Sequence, residues 1–317
     1  MMRTAEKRIK FQPSKYIVLF LLIFLTILMT IMLDNFFTFN NIKNIFASFS
    51  VYGVTTIAMT YAIICAEFDL SVGSIMAFTS LVFANLANST NLVTAIIVSL
   101  LVGLMFGALN GVIVAVGKVS SFVATLGTQI AIKGLALYYT DGYQVPIYST
   151  TAYKMGNGEL LGIPYLVLFF FLMLSLAWYV LKYTRFGRNL YAVGGNYDMA
   201  KLAGIKSWFY KFMIFVILGF CASISGIMIA CRVASGNALH GADLTMTAVA
   251  AVVVGGTSLN GGSGGVWRTL AGLLVIYLLF NALTLLGLSA YWQQFLKGLI
   301  VIIVIVADAL IQRHKED

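Results

Sequence analysis

Two acids stand two residues apart in the stretch Ala66-Glu67-Phe68-Asp69-Leu70-Ser71-Val72-Gly73-Ser74, which joins two long apolar runs. Ionisable side chains at membrane depth are costly and are retained for pathways, gates or buried pairs. Asp69 or Ser71 could accept hydrogen bonds from the free N–H groups that open the following helix. The alternative is a structural break that lines a translocation route or its inner gate, with Glu67, Asp69, Ser71 and Gly73 as its residues. The residues alone leave both readings open. A second polar interruption is Gly255-Gly256-Thr257-Ser258-Leu259-Asn260-Gly261-Gly262-Ser263-Gly264-Gly265. So many glycines do not continue a helix cheaply, so the backbone must turn here and find partners for its polar groups. The two stretches are weakly alike: Ala66 with Gly255, Leu70 with Leu259, Gly73 with Gly262, Ser74 with Ser263. Transporters often repeat a half-unit and place broken helices near their substrate.

Gly261 to Gly265 formally fits the G-x-S-x-G nucleophile pattern around Ser263. A serine nucleophile needs a base. The two histidines, His240 and His314, are expected in an outer loop and an inner tail. No HExxH, Cys/His metal spacing or Walker-type phosphate loop occurs. The reading is of a chain with no catalytic residues, no metal site and no ATPase site of its own. Cys65, Cys221 and Cys231 form no CxxC pair and read as small buried apolar residues.

The third polar stretch runs from Tyr183-Thr184-Arg185-Phe186-Gly187-Arg188 to Asn196-Tyr197-Asp198-Met199-Ala200-Lys201-Leu202-Ala203-Gly204-Ile205. Asn196 or Asp198 can open a helix there and Gly204 can close it. Met199, Leu202 and Ala203 would form a small apolar face. Such a helix could fill a partner's groove or lie on the membrane surface.

These stretches are held between apolar segments. The chain has 317 residues, 61% hydrophobic and 10% charged, against about 25% charged in a soluble domain. Lipid must therefore be the solvent along the whole length. A crossing helix needs about 20 apolar residues. Ten candidates follow: Tyr16–Leu33, Ile45–Ile64, Val72–Ala87, Leu92–Val116, Phe122–Tyr139, Ile163–Leu181, Phe212–Ile229, Leu244–Gly255, Val266–Leu286 and Phe295–Leu310. The first is longer than a signal-peptide core and lacks a small-residue cleavage pattern, so it reads as an uncleaved helix. The third and eighth are short and could be broken or re-entrant. The net charge of +9 does not point to nucleic acid, because the basic residues fall in short segments between apolar runs. Arg3, Lys7, Arg8, Lys10 and Lys15, then Lys182, Arg185, Arg188, Lys201, Lys206 and Lys211, then Arg313 and Lys315 should face the cytoplasm, with Lys118 and Arg268. Lys43, Lys154 and Arg232 fall outside, and Lys133 and Lys297 lie within spans. The fold class is all-α: a polytopic membrane protein of about ten transmembrane helices, both termini cytoplasmic. It would form one domain, 1–317, with a basic arm at 1–15 and a cytoplasmic loop at 182–211.

Gly103, Gly107 and Gly111 recur at four-residue spacing on the fourth span, and the seventh carries Gly219, Ser223, Gly226 and Ala230. In lipid, close approach through small residues drives helix association. The stripe predicts tight contact with another helix, inside the subunit or across a dimer.

Taken together, Asp69-Leu70-Ser71-Val72-Gly73-Ser74, Arg185-Phe186-Gly187-Arg188 with Ala203-Gly204-Ile205, and Gly255-Gly256-Thr257-Ser258-Leu259 with Gly261-Gly262-Ser263-Gly264 resemble the permease subunits of ribose-type ABC importers. These lie within the ribose and branched-chain amino acid permease family. Ala66-Glu67 departs from a pair that is commonly Gly-Gly there. The resemblance implies a multi-pass subunit in a bacterial inner (plasma) membrane. Two permease subunits, identical or different, would form the pore in membrane lipid. Two cytoplasmic ABC ATPase subunits would consume the ATP, this chain binding no cofactor. An extracellular or periplasmic solute-binding protein would deliver a monosaccharide, with no nucleic-acid partner. Asn196, Asp198, Met199, Ala200, Leu202, Ala203, Gly204 and Ile205 would form the coupling helix, and the Asp69–Gly73 motif would serve pore and gating.

An uncharged sugar needs hydrogen bonds along its path. That fits Asn110, Thr125, Thr128, Gln129 and Asn281 as pore candidates beside Glu67, Asp69, Ser71 and Gly73. The alternative is an ion-coupled secondary transporter, which would need mid-span ionisable groups; Lys133 and Asp308 are the candidates. An intramembrane enzyme using Ser263 would need a base within reach.

Overall fold

The computed structural model describes residues 17–316. The basic arm 1–15 and Tyr16 lie outside the described residues, as do the side chains of Asp308, Arg313, His314 and Lys315. The described chain is nearly all helix. Helices α1 (Ile17–Met32), α2 (Phe39–Ile64), α3 (Val72–Ser89), α4 (Leu92–Gly111) and α5 (Ser121–Tyr139) form the first half. A short helix, α6 (Thr150–Asn157), precedes α7 (Tyr165–Tyr183). The basic connection folds as α8 (Arg185–Gly195) and α9 (Tyr197–Leu202). Helices α10 (Ser207–Val233), α11 (Leu244–Val254), α12 (Val266–Leu285) and α13 (Ala290–Glu316) complete it. Two antiparallel two-residue pairings, Val145–Pro146 with Ser235–Gly236 and Glu159–Leu160 with Ile163–Pro164, tie connections together at one end.

Each of the ten apolar segments corresponds to a helix, the ends differing by a residue or two at α1, α7, α11 and α12; ahead of α7, Ile163–Pro164 belongs instead to a strand pairing. Among the described helices, α2, α3, α4 with its extension, α7, α10 and α12 are long and apolar enough to cross a membrane. The protein is an all-α, multi-pass membrane protein. Three helices begin upstream of their apolar segments: α2 at Phe39, α10 at Ser207 and α13 at Ala290. Their first turns are polar or mixed, and Thr38 supplies the α2 cap by accepting from Asn41 N. The apolar run of α4 continues through one wide π-turn at Val112–Val116. Helices α2, α3 and α10 are mostly buried and form the centre, whereas α4 and α7 are mostly exposed, since lipid accepts an apolar helix face without burial.

The glycine stripe of α4 lies against α10 within the subunit. A Cβ at Gly107 would stand 3.1 Å from Gly219 Cα, and one at Gly111 2.8 Å from Phe212 Cδ2. Gly103 faces Ser223 and the Gly219 carbonyl. Small residues thus bring two main chains together where lipid gives no hydrophobic pull.

The two short candidates differ. The third is a helix of 18 residues, whereas the eighth, α11, has 11. At about 1.5 Å per residue α11 reaches about 16 Å, half of a hydrocarbon core about 30 Å thick.

Helices α2 and α11 end in the same motif, and this corrects the register of the internal repeat. Ala66 N donates to Ile63 O and Glu67 N to Ala62 O; Gly256 N donates to Val253 O and Thr257 N to Val252 O. Each is a Schellman ending with a left-handed residue, Ala66 at φ 59° and Gly256 at φ 80°. The true partner of Ala66 is therefore Gly256, one residue on from the sequence pairing, and the second connection is longer than the first before its next helix begins. A side chain in this conformation costs about 1–2 kcal/mol, part of which is regained in the unfolded chain. Ala66→Gly is expected to raise, and Gly256→Ala to lower, the detergent-solubilised stability by about 1 kcal/mol each, read from melting temperatures.

Candidate transport site

The connection from Cys65 to Ser71 is a junction where six helices meet: α2 and α3, which it joins, and α4, α5, α10 and α11. Asp69 is fully buried, and its Oδ1 accepts from Ser71 N at 2.7 Å and Ser71 Oγ at 2.6 Å. This is an Asx-type turn, the local bond that an aspartate makes two residues ahead. It corrects the capping expectation: Ser71 precedes α3 with helical φ −80° and ψ −12°, so its hydroxyl caps no N–H of the first turn and serves Asp69 instead. From α4, Asn110 Nδ2 donates to Ser71 Oγ at 2.8 Å and approaches Asp69 Oδ2 at 3.5 Å. From α5, Thr125 Oγ1 accepts from Leu70 N at 3.0 Å, and Ser121 Oγ accepts from Phe68 N at 3.4 Å. From α11, Thr245 Oγ1 donates to Leu70 O at 3.1 Å. Gly73 permits the closest approach, since a Cβ there would collide with the Gly241 carbonyl. The Asn110 carbonyl oxygen is buried without a protein partner. A polar atom so placed is an open acceptor for water or solute.

Glu67 is also buried, and its carboxylate pairs with Lys211 Nζ in the first turns of α10. Lys211 Nζ lies 4.7 Å from the ring centroid of Tyr197, the first residue of α9. On the same side, Gly262 N donates to Ile64 O at 2.8 Å, and Tyr191 Oη donates to Gly264 O at 2.9 Å. Gly194 is pressed against the Ile64 carbonyl, leaving no room for a Cβ. Both polar interruptions and the α8–α9 connection therefore touch one another. The glycine-rich stretch holds φ between 69° and 148° at Gly261, Gly262 and Gly264, conformations that glycine adopts without steric cost.

Helix α9 is capped by Asn196 Oδ1, which accepts from Met199 N at 2.9 Å, and is closed by Gly204 at φ 82°. Ala200 packs inward, while Asp198, Met199, Leu202, Ala203 and Gly204 are exposed and Ile205 is half-buried. Lys118 and Lys206 line one cavity with Gly204 and Ile205, and Arg268 lines another with Lys182 and Arg188. Basic residues from four connections thus collect at one end of the bundle. At the other end Lys43 pairs with Glu159, and Arg232 donates to Ser48 Oγ at 2.9 Å.

The other candidates lie apart. Thr128 donates to Thr125 O at 3.2 Å on α5, and Gln129 O accepts from Ser74 Oγ at 3.0 Å. Lys133 is exposed on α5. Asn281 exchanges two amide bonds with Asn41, at 2.9 and 2.8 Å, across α12 and α2. The pair lines a cavity of about 550 Å³ with Asn44, Ser48, Tyr52, His240, Thr247, Tyr277 and Gln293, at the end bearing Lys43. Burial holds the His240 imidazole below its ordinary pKa, and its Nδ1 lies 3.2 Å from Ser80 Oγ. Cys65, Cys221 and Cys231 are free and buried. Among the described residues no cluster of His, Cys, Asp or Glu could hold a metal ion. Sequence reasoning missed Lys211, Tyr197, Gly194 and Thr245; only the Gly194-Gly195 pair marked a close approach.

The model of the branched-chain amino acid transport system permease component matches residues 41–305. The chain belongs to this permease family. It is 39% identical to the ribose import permease protein of Haemophilus influenzae over 279 residues, 86% of each chain. It is 36% identical to the ribose import permease protein of Bacillus subtilis over 315 residues, 97% of each. The D-allose transport system permease protein of Escherichia coli is 33% identical over 88% of this chain and 86% of its own. No solved structure matches. The buried polar junction, the exposed α9 and the cavity at the end bearing Lys43 are thus features of a permease subunit of an ABC importer.

Proposed function

We propose that this permease subunit imports a monosaccharide by alternating access, driven by separate ATPase subunits. The observation that carries the sugar is the end-to-end likeness to ribose permeases, 36% over 97% of both chains. The outer cavity supports it: its amides, hydroxyls and tyrosines suit a polyol, its two charged lining residues, Asp243 and Lys297, pair with each other at 3.6 Å, and about 550 Å³ is ample for one small ligand. The chain makes ten passages through a bacterial inner membrane as one domain, with both termini cytoplasmic, the passage begun by the 11-residue α11 being completed by the non-helical glycine-rich stretch that follows it. The segregation of Lys118, Lys182, Arg188, Lys206 and Arg268 from Lys43 and Arg232 supports that orientation. A second permease subunit completes the pore, a solute-binding protein delivers the sugar outside, and ATP is bound by the partner subunits alone. Helix α9, with Met199, Leu202 and Ala203 exposed, docks on the ATPase.

Vesicles carrying the reconstituted importer are expected to accumulate radiolabelled ribose when ATP is supplied. Accumulation driven by an ion gradient with no nucleotide-binding companion overturns the reading. Gly204 tests the docking assignment. A Cβ there meets no atom within 4 Å, so a bulky residue acts through the φ of 82°, straining the turn from α9 to α10 by about 1–2 kcal/mol. Gly204→Val is expected to leave ATP hydrolysis running while uptake falls. Unaltered uptake per ATP rejects the assignment.

A further inference from the structure

We propose that Lys211 is a positioning residue for transport, carrying the movement of α9 to the buried loop between α2 and α3. The inference rests on the reading of α9 as the docking helix. Three contacts make the path. Lys211 Nζ sits over the Tyr197 ring at 4.7 Å. The same Nζ pairs with Glu67 Oε1, whose side chain is only 5% exposed. Glu67 is two residues from Asp69, which holds Ser71 and Asn110. A single ammonium therefore faces an aromatic ring on the cytoplasmic helix and a carboxylate on the loop.

The alternative carriers are weaker or differently aimed. Helix α9 is six residues long and is tied back to α10 by Ser207 Oγ, which donates to Tyr197 O only at 3.5 Å. The Gly194 contact with Ile64 and the Gly262 bond to Ile64 hold α8 and the glycine-rich stretch to the end of α2, upstream of Glu67. The loop's remaining side-chain bonds, to Ser121, Thr125, Asn110 and Thr245, are made to the membrane helices α5, α4 and α11. The Lys211 bridge thus links an exposed α9 to the acid loop through side chains.

An ammonium shared in this way is sensitive to small displacements of either partner. Cation–π attraction acts within about 6 Å of the ring centroid, and a buried carboxylate left without its counter-ion is strongly disfavoured. Moving Tyr197 away leaves Lys211 to Glu67 alone, and moving α10 with α9 pulls on Glu67. Either shift changes the position of the loop that carries Asp69. Bistable packing then passes such a shift on to α3, α4, α5 and α11.

The test uses the complete importer in proteoliposomes, with uptake and ATP hydrolysis measured on the same sample. Glu67→Gln and Lys211→Gln are each expected to lower uptake per ATP by about tenfold, a usual size for coupling between sites. Lys211→Arg keeps a cation facing both the Tyr197 ring and the Glu67 carboxylate and is expected to retain at least half of the wild-type uptake per ATP. Tyr197 supplies a milder probe that leaves the buried pair intact: Tyr197→Phe keeps the ring and should behave as wild type, while Tyr197→Ala should be uncoupled. Equal uptake per ATP in Tyr197→Ala and Tyr197→Phe overturns the proposal, and so does wild-type uptake per ATP in a folded Lys211→Gln variant. If the charge variants do not fold, the Tyr197 pair decides alone. The docking reading is checked separately by cross-linking Leu202→Cys to a cysteine on the ATPase surface. Cross-linking with unchanged coupling in Tyr197→Ala sinks the bridge and spares the docking helix, whereas absence of cross-linking sinks the docking helix itself.

Discussion

Gly194→Val is expected to yield no folded, transport-competent protein, whereas Gly195→Ala one residue later is expected to behave as wild type. The two glycines end the same helix, and only the first is crowded. A Cβ at Gly194 overlaps the Ile64 carbonyl and stands 2.8 Å from Cys65 Cα; at Gly195 the nearest atom is Gly262 Cα at 3.9 Å. Both atoms that would meet the new carbon at Gly194 belong to main chain, so no rotamer relieves the clash and α8 must separate from α2. That separation also strains the Gly262–Ile64 bond. Overpacking usually costs about 1–3 kcal/mol, and an immovable backbone wall places this case above about 4 kcal/mol. Gly195→Ala stays within about 0.5 kcal/mol, as a substitution without such contacts does. Melting of the detergent-solubilised variants checks both, and a wild-type melting temperature for Gly194→Val rejects the close approach.

Asp69→Ala has the second largest expected effect. It removes the acceptor of Ser71 N and Ser71 Oγ and the neighbour of Asn110, all within a buried site. Hydrogen bonds to a charged group contribute about 1.5–3 kcal/mol, and stranded buried donors add to the loss. A drop of about 3 kcal/mol with loss of most uptake is expected. Asp69→Asn keeps one acceptor oxygen for Ser71 and should recover most of the stability. Comparing the two variants in melting and uptake separates the turn from the charge: an asparagine variant that melts like alanine rejects the Asx turn as the source of stability.

The membrane helices could be read from sequence because a run of apolar residues long enough to cross lipid is itself the physical requirement for one. The first turns of α2, α10 and α13 escaped because they are polar or mixed; Asn40, Asn41, Lys43 and Asn44 interrupt the apolar pattern, yet a Thr38 cap makes them helical. Helix α6 and the two-residue pairings were missed because each is too short to carry a period. The Asp69–Ser71 turn was visible as a spacing of two, although the direction of the bond was not. The Gly103–Gly107–Gly111 stripe announced a close contact but not its partner, which is α10. Lys211 was visible only as one of a row of basic residues. Its pairing with Glu67 depends on how α10 packs beside the end of α2, which no local pattern encodes. Likewise Asn281 reads in sequence only as a polar residue of a span and a pore candidate, and the fold sets it with Asn41 in the lining of the cavity at the end bearing Lys43.

The contact of α2 with α8 and the glycine-rich stretch is largely made by peptide groups: the Ile64 carbonyl, the Gly262 amide and the tight turns around Gly256 and Gly264. The cavity around Asn281 is made by side chains such as Asn41, Tyr52 and Gln293. Peptide groups are the same in every chain, whereas side chains are exchanged one codon at a time. Substitutions can therefore reshape the lining of that cavity while the main-chain bonds that join α2, α8 and the glycine-rich stretch keep their donors and acceptors.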